Sequence, residues 1–446
     1  MYRKAIEKLM AWKTGPRRKP LVLRGARQVG KTWLMKEFAT REYEDSLYIS
    51  FDKDADAAKI FNDTKDPRLI LERLALIRGK AVLPARTLII LDEIQECPSA
   101  LGSLKYFNEE ANEYHIITAG SLLGTYLAAP TSYPVGKVNL LHIYPMSFEE
   151  YLAAADSGMY QYYSGVKSGK DYISAFHERM TEHYRKYLII GGMPECVESW
   201  MDRADPQEIK VIQGEIISLY ENDFTKHSGK VNSGRILQVF RSIVPQLAKG
   251  NNEKFIYAAI AKSARAKDFE DAIEWLLSSG IVYRILNISR PQYPLRAYEI
   301  LNYFKLFLLD VGLLKHLAQL SNKSIMLSEA FPFKGQLAEN YVLEQLIPLF
   351  DYSPNFYAYA QNREIDFILQ YGETILPIEV KSGENIPAVS FKRYIEKYKP
   401  EIAVRFSTKE YLHNSAIINI PLYFAGKMLE LILDKHDENL WSTLEE

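Results

Sequence analysis

The chain has 446 residues, 47% hydrophobic and 25% charged, with a net charge of −1. That length calls for roughly two to four domains. The near-neutral balance excludes a whole-molecule field that would draw the chain to nucleic acid and leaves such contact to local basic patches.

From the N-terminus, MYRKAIEKLMAWKTG is an amphipathic mix without a signal-peptide core. No apolar run reaches the roughly 18 residues of a membrane span. Cys97 and Cys196 make neither a disulfide framework nor a zinc cluster and fit a reducing compartment. The expectation is a cytoplasmic protein without a membrane partner. Residues 20–145 then alternate short β-rich apolar runs (PLVLRG, DSLYISFD, RTLIILDE, EYHIITAGS, KVNLLHIY) with the helical stretches KTWLMKEFAT, PRLILERLALIRG and PSALGSLKYFNEEAN. Such alternation predicts an α/β fold with a parallel sheet covered on both faces. Residues 146–230 read as mostly helical, broken at Gly191-Gly192-Met193-Pro194. Residues 231–330 read as a winged helix, with a candidate recognition helix at Asp268–Ser278 and a wing at ISRPQYPLRAY. Residues 331–446 open with a helix, GQLAENYVLEQLIPLF, and continue as strands that turn at Tyr371-Gly372.

Gly25-Ala26-Arg27-Gln28-Val29-Gly30-Lys31-Thr32 matches the phosphate-loop pattern G-x-x-x-x-G-K-[ST], with a strand entering it and a helix leaving it. Glycines let the backbone turn its N–H groups onto phosphate oxygens, and the helix starting near Gly30 aims its positive end at the same anion. Lys31 is expected to reach the β- and γ-phosphates of ATP, and Thr32 to offer its hydroxyl to Mg2+. Thr87–Asp92 is an apolar strand ending in Asp92-Glu93. Carboxylates at that end of a buried parallel strand meet ligand in the crevice. Asp92 would order the metal and Glu93 would polarise the attacking water. Thr118 and Ser121 close the next strand. Ser121 reads equally well as a γ-phosphate sensor and as a helix N-cap.

LRGARQVGKT, ILDEIQECP, ITAGSLLG and YPMSFEEYL, followed by GGMPECV, KLFLLDVGLL, GQLAENYVLEQL and REIDF…IEVKSG, resemble the AAA-type P-loop ATPases of bacteria and archaea with a C-terminal domain of formerly unknown function. The resemblance covers nearly the whole chain. It implies a P-loop NTPase core (1–145), a helical lid (146–230), a winged helix (231–330) and a restriction-endonuclease-like α/β domain (331–446). It also implies Gln95 near the γ-phosphate and an arginine supplied by a neighbouring subunit of a homo-oligomer. Arg179 and Arg185 lie in the helical segment, where exposed arginines usually serve as solvated charge.

Glu339, Asp366, Glu379 and Lys381 form a second constellation. Glu379 and Lys381 share a strand face, and the turn should bring Asp366 beside them. Two carboxylates can hold a second Mg2+ or Mn2+, completed by Glu339, with Lys381 orienting a water. The order resembles the PD-(D/E)xK nucleases, although Glu-Ile-Asp366 lacks the proline of that name. The resemblance admits metal-dependent cleavage of DNA and equally a non-cleaving binding or docking module. Lys262, Arg265 and Lys267 flank the recognition helix, and Arg290 and Arg296 sit in the wing. Asp268, Glu270, Asp271 and Glu274 make the helix itself acidic, which suits packing or protein contact at least as well as a DNA groove. The expected partners are ATP and DNA. The expected function is an ATPase coupled to nucleic-acid recognition or cleavage, or else a nucleotide-dependent switch.

Overall fold

The computed structural model describes residues 1–120, 136–226, 231–249, 254–260, 265–327, 331, 333–350, 352–360, 363–383 and 389–432. The chain divides into two compact units. One is Tyr2–Pro145 with Ser278–Ile281; the other is Met146–Leu277 with Val282–Glu446 and Met1. Among the described residues no helix is long and apolar enough to cross a membrane.

The first unit is built on β1 (Leu21–Arg24), β2 (Asp45–Ser50), β3 (Thr87–Asp92), β4 (His115–Ala119) and β5 (Asn139–His142), all parallel in the order β2-β3-β4-β1-β5. These are the five runs read from the sequence, and the α/β expectation holds. Every side chain of β3 is buried. Burial of such an aliphatic side chain contributes about 1.5–3 kcal/mol, an upper bound against a compact unfolded chain. That is why an unbroken apolar run settles in the sheet's interior. The helices Lys31–Glu42, Pro67–Arg78 and Pro98–Glu110 fall where the sequence placed them. A further helix, Ala55–Asp63, was not foreseen; it buries only Ala57, Ile60 and Phe61 in a segment rich in aspartate.

The second unit starts with helices Phe148–Ala155, Ser157–Gly165, His177–Ile190, Pro194–Arg203 and Pro206–Lys226. Helices Ser233–Leu247 and Ala266–Ser278 follow. Eight strands form one mixed sheet: β6 (Val282–Ile288), β7 (Glu299–Leu308), β8 (Asn355–Ala360), β9 (Arg363–Tyr371), β10 (Thr374–Lys381), β11 (Ala403–Ser407), β12 (Leu412–Asn414) and β13 (Ile417–Pro421). Their order is β12-β13-β11-β10-β9-β8-β6-β7. The β6–β7 pair, read as wing and return strand, is therefore continuous with the C-terminal strands. Two buried asparagines stitch the join of β6 to β8: Ala358 N donates to Asn287 Oδ1 at 2.9 Å, and Asn355 Nδ2 donates to Leu286 O at 3.3 Å.

The Gly191-Gly192 break packs against Asp310-Val311-Gly312. Gly192 N donates to Asp310 Oδ2 at 2.6 Å and Leu313 N to Asp310 Oδ1 at 2.9 Å. Met146 N donates to Gly192 O at 2.6 Å. Burial lifts the Asp310 carboxyl to about 6 against these backbone donors. A methyl on Gly192 would land on Met146 O and lie 2.7 Å from Tyr187 Oη, and one on Gly312 would lie 2.7 Å from Gly191 Cα. Gly192→Ala is thus expected to destabilise the second unit by about 3 kcal/mol. Gly335→Ala, in the helix Lys334–Phe350 with nothing within 4 Å of the new methyl, should instead gain about 0.5–1 kcal/mol. Thermal unfolding of the two variants beside the parent checks both signs.

Candidate nucleotide site and the C-terminal charge cluster

The phosphate loop leaves β1 at Gly25, where φ is 142°, and reaches its helix through Gln28 (φ 64°) and Gly30 (φ 87°). A side chain on Gly25 would strike Ile143 O, so the turn demands glycine there. The helix begins at Lys31 with no side-chain cap and no acid in its first turn, which leaves its first N–H groups and its positive end to an anion. Arg3, not foreseen from the sequence, props the loop from behind: Nη1 donates to Val29 O at 3.0 Å and Nη2 to Tyr144 O at 2.8 Å. The Lys31 ammonium is folded onto the loop, donating to Gly25 O at 2.9 Å and Ala26 O at 2.7 Å. Burial lowers its pKa to about 8, against the opposing pull of Glu93 and Asp92.

β4 lies between β1 and β3, so its carboxyl end stands between the loop and the acids; Thr118 pairs in register with Val22 on one side and Leu91 on the other. Thr118 Oγ1 is buried and has no hydrogen-bond partner among the described residues. Ser121 lies outside the described residues. Across that gap Thr32 Oγ1 donates to Asp92 Oδ2 at 2.7 Å, and Tyr48 OH donates to the same oxygen at 2.9 Å. Tyr48 was also missed: its place beside Asp92 depends on the β2–β3 register, which no local pattern in the sequence encodes. Glu93 adopts φ 49°, ψ 45°, a left-handed conformation uncommon outside glycine and frequent at functional sites. Its carboxylate accepts from Gln95 Nε2 at 2.6 Å, so Gln95 meets the expected glutamate. The Thr32 hydroxyl and the Asp92 carboxylate are hard oxygen donors at one point. They fit the protein's small share of a Mg2+ shell, which waters and phosphates otherwise fill.

In the second unit β9 and β10 pair antiparallel through Phe367↔Ile378. The turn at Gly372, where φ is 57°, sets that register, and Asp366 comes beside Glu379 as expected. Val380 N donates to Asp366 Oδ2 at 2.7 Å, and Lys381 Nζ lies 2.5 Å from Glu379 Oε1. Two residues join them unannounced: Glu364 of β9 and Lys305 of β7, which form a buried ion pair. Burial, reinforced by Asp366, pushes both Glu339 and Glu379 up to about 8. Burial also raises Asp366. Burial works against the ammonium groups of Lys305 and Lys381, but the surrounding acids outweigh it and hold both above the ordinary lysine value.

One expectation finds no support in this geometry. Among the described residues no group of three or more His, Cys, Asp or Glu side chains is arranged to hold a metal ion. Asp366 Oδ2 accepts from a backbone N–H and Glu379 Oε1 faces Lys381, while Glu379 Oε2 is buried without a hydrogen-bond partner among the described residues. The second Mg2+ or Mn2+ on Glu339, Asp366 and Glu379 has no support here. Arg179 is likewise occupied, donating to Asp156 Oδ2 at 2.6 and 2.9 Å.

Residues 17–152 match the AAA domain family. The AAA domain region thus holds the whole phosphate loop together with Asp92, Glu93 and Gln95. Residues 181–324 match a domain of unknown function (DUF8612), and residues 334–423 match another (DUF4143). No curated protein sequence matches the chain. Among solved structures, the Walker-type ATPase PABY2304 of Pyrococcus abyssi is similar at 14% identity, covering 71% of this chain and 95% of its own, with a TM-score of 0.42. The Aeropyrum pernix ORC1 protein, solved with DNA, is 14% identical over 71% of this chain and 91% of its own, with a TM-score of 0.28. The Thermotoga maritima RuvB Holliday junction branch migration motor is 16% identical over 64% of this chain and 90% of its own, with a TM-score of 0.27. All three scores lie below 0.5, and the fold described above stands without them.

Proposed function

We propose that the chain binds ATP on Gly25–Thr32 and hydrolyses it, and that the second unit couples this cycle to nucleic acid. The convergence of Thr32, Tyr48 and Asp92 beside the buried Lys31 ammonium carries the first half. Lys31 would exchange the Gly25 and Ala26 carbonyls for phosphate oxygens, which are better partners because they are charged. Mg2+ bound with the nucleotide supplies charge stabilisation at the phosphates. Glu93, released from Gln95, would orient a water in line with the γ-phosphate, and catalysis would then be mainly positioning and electrostatics. Thr118, its hydroxyl unpaired between loop and acids, suits contact with the γ-phosphate. If a second subunit supplies an arginine, the active form is an oligomer.

Support for the nucleic-acid half is chemical: exposed Arg290 and Arg296 on the β6–β7 connection suit phosphate contacts. Asp366 Oδ2, spent on Val380 N, and Glu379 Oε1, spent on Lys381, leave fewer oxygens for a metal, which favours recognition over cleavage in the C-terminal cluster. ATP turnover and DNA cleavage measured on one preparation, with and without DNA and divalent cation, test both halves. Cation-dependent turnover that rises with DNA is expected, with little or no cleavage. Absence of turnover removes the ATPase reading; turnover indifferent to every DNA form removes the coupling and leaves a nucleotide switch. Cleavage that Lys381→Ala abolishes would restore the nuclease.

A further inference from the structure

A cleft of about 900 Å³ opens in the second unit between the N-terminal half of the helix Pro206–Lys226 and the segment from Lys315 to Lys323. Lys210, Lys315, His316 and Lys323 line it, and no carboxylate does. Lys315 decides the reading. It is only 5% exposed, yet its ammonium has no hydrogen bond or ion pair among the described residues. Buried charges are ordinarily paired. This one instead faces like charge: burial first, and Lys210 second, lower its pKa to about 8. Burial, Lys315 and Lys210 likewise depress His316. The last turn of the helix Val311–Leu317 presents carbonyl ends that favour a cation, but these are partial charges and supply no counter-ion. Gly214 leaves the opposite wall bare, since a methyl there would lie 3.5 Å from His316 Cε1. Asn322 Oδ1, also in the lining, is buried without a hydrogen-bond partner among the described residues.

We propose that this cleft is a phosphate-binding site, separate from the ATP loop, whose ligand supplies the anion that Lys315 and Lys210 lack. Several basic side chains around one cleft suit an anion with many oxygens better than a single carboxylate. The volume admits a phosphate with its attached nucleoside or chain. The same chemistry comes from a free phosphate monoester or from the backbone of nucleic acid. The proposal does not depend on the ATPase reading.

The test uses the full chain carrying Lys31→Ala, which mutes the phosphate loop, compared with the same chain also carrying Lys315→Met or Lys210→Gln. Inorganic phosphate and a short labelled DNA duplex are titrated separately, with melting temperature and fluorescence anisotropy as readouts. Lys315→Met is expected to weaken binding by at least about tenfold, and the more exposed Lys210→Gln by less. A Lys315-dependent response to inorganic phosphate identifies a free phosphate ligand; the same response to the duplex alone identifies the backbone. Without ligand, Lys315→Met should melt no lower than its parent, because methionine fills similar space without an uncompensated charge. The proposal is overturned if neither probe binds, if binding ignores Lys315, or if unliganded Lys315→Met melts well below its parent, which would reveal an internal partner for the ammonium.

Discussion

Glu93→Gln should leave ATP bound and slow its turnover by about 10²–10⁴-fold, the usual contribution of a positioned general base. The substitution is well matched to the site. Glutamine keeps an oxygen able to accept from Gln95 Nε2, which now donates to Glu93 Oε2 at 2.6 Å. The left-handed backbone at this position is set by its neighbours, not by the charge. What disappears is the carboxylate that draws a proton from water. Single-turnover hydrolysis and equilibrium ATP binding, measured together, separate the two effects. A variant that hydrolyses at the parent rate would show that another group orients the water. The Gln95 contact adds a graded control: Gln95→Leu removes this one contact and keeps the carboxylate, and should cost much less than Glu93→Gln.

Lys31→Ala should weaken ATP by at least about 100-fold, near 3 kcal/mol, because the phosphates lose their principal charge-assisted donor. The Gly25 and Ala26 carbonyls lose their partner as well, so circular dichroism must accompany the titration. Unchanged affinity in a folded variant would remove the site assignment. The parent carries a matching pH signature. Its free ammonium titrates near 8, charged below and neutral above. Affinity should therefore be flat between about pH 6.5 and 7.5 and fall beyond pH 8, by no more than tenfold per unit. The Lys31→Ala chain should lack that fall.

Features encoded by contiguous residues were the legible ones. Gly25 to Thr32 form the loop because one strand and one helix flank them, and Asp92 and Glu93 follow from an apolar run whose burial fixes where it ends. The pairing of Asp366 with Glu379 was readable because a single turn at Gly372 sets the register. Arg3, Tyr48, Lys305 and Glu364 were not readable in their roles. Each reaches its site through contacts distant in sequence: Tyr48 through β2–β3 pairing, Arg3 from just ahead of the helix Ala5–Thr14, and Lys305 across strands that come together only after the sheet assembles. Spacing also counts carboxylates without showing that a backbone N–H lies on Asp366 and Lys381 on Glu379.

The asparagine-stitched join between β6 and β8 bears on how the chain can be inherited and dissected. The two domains of unknown function, 181–324 and 334–423, meet inside one sheet. The first contributes β6 and β7, and the second contributes β8 to β13. A chain truncated at residue 330 would bare the inner edge of β6, with Asn287 facing solvent and a row of backbone groups free to recruit a foreign strand. The complementary fragment would bare β8. Each half would leave a strand edge of the other uncovered, so recombination that exchanged one without the other is expected to favour aggregation. The boundary between the two families marks a seam in sequence and not a joint in the molecule.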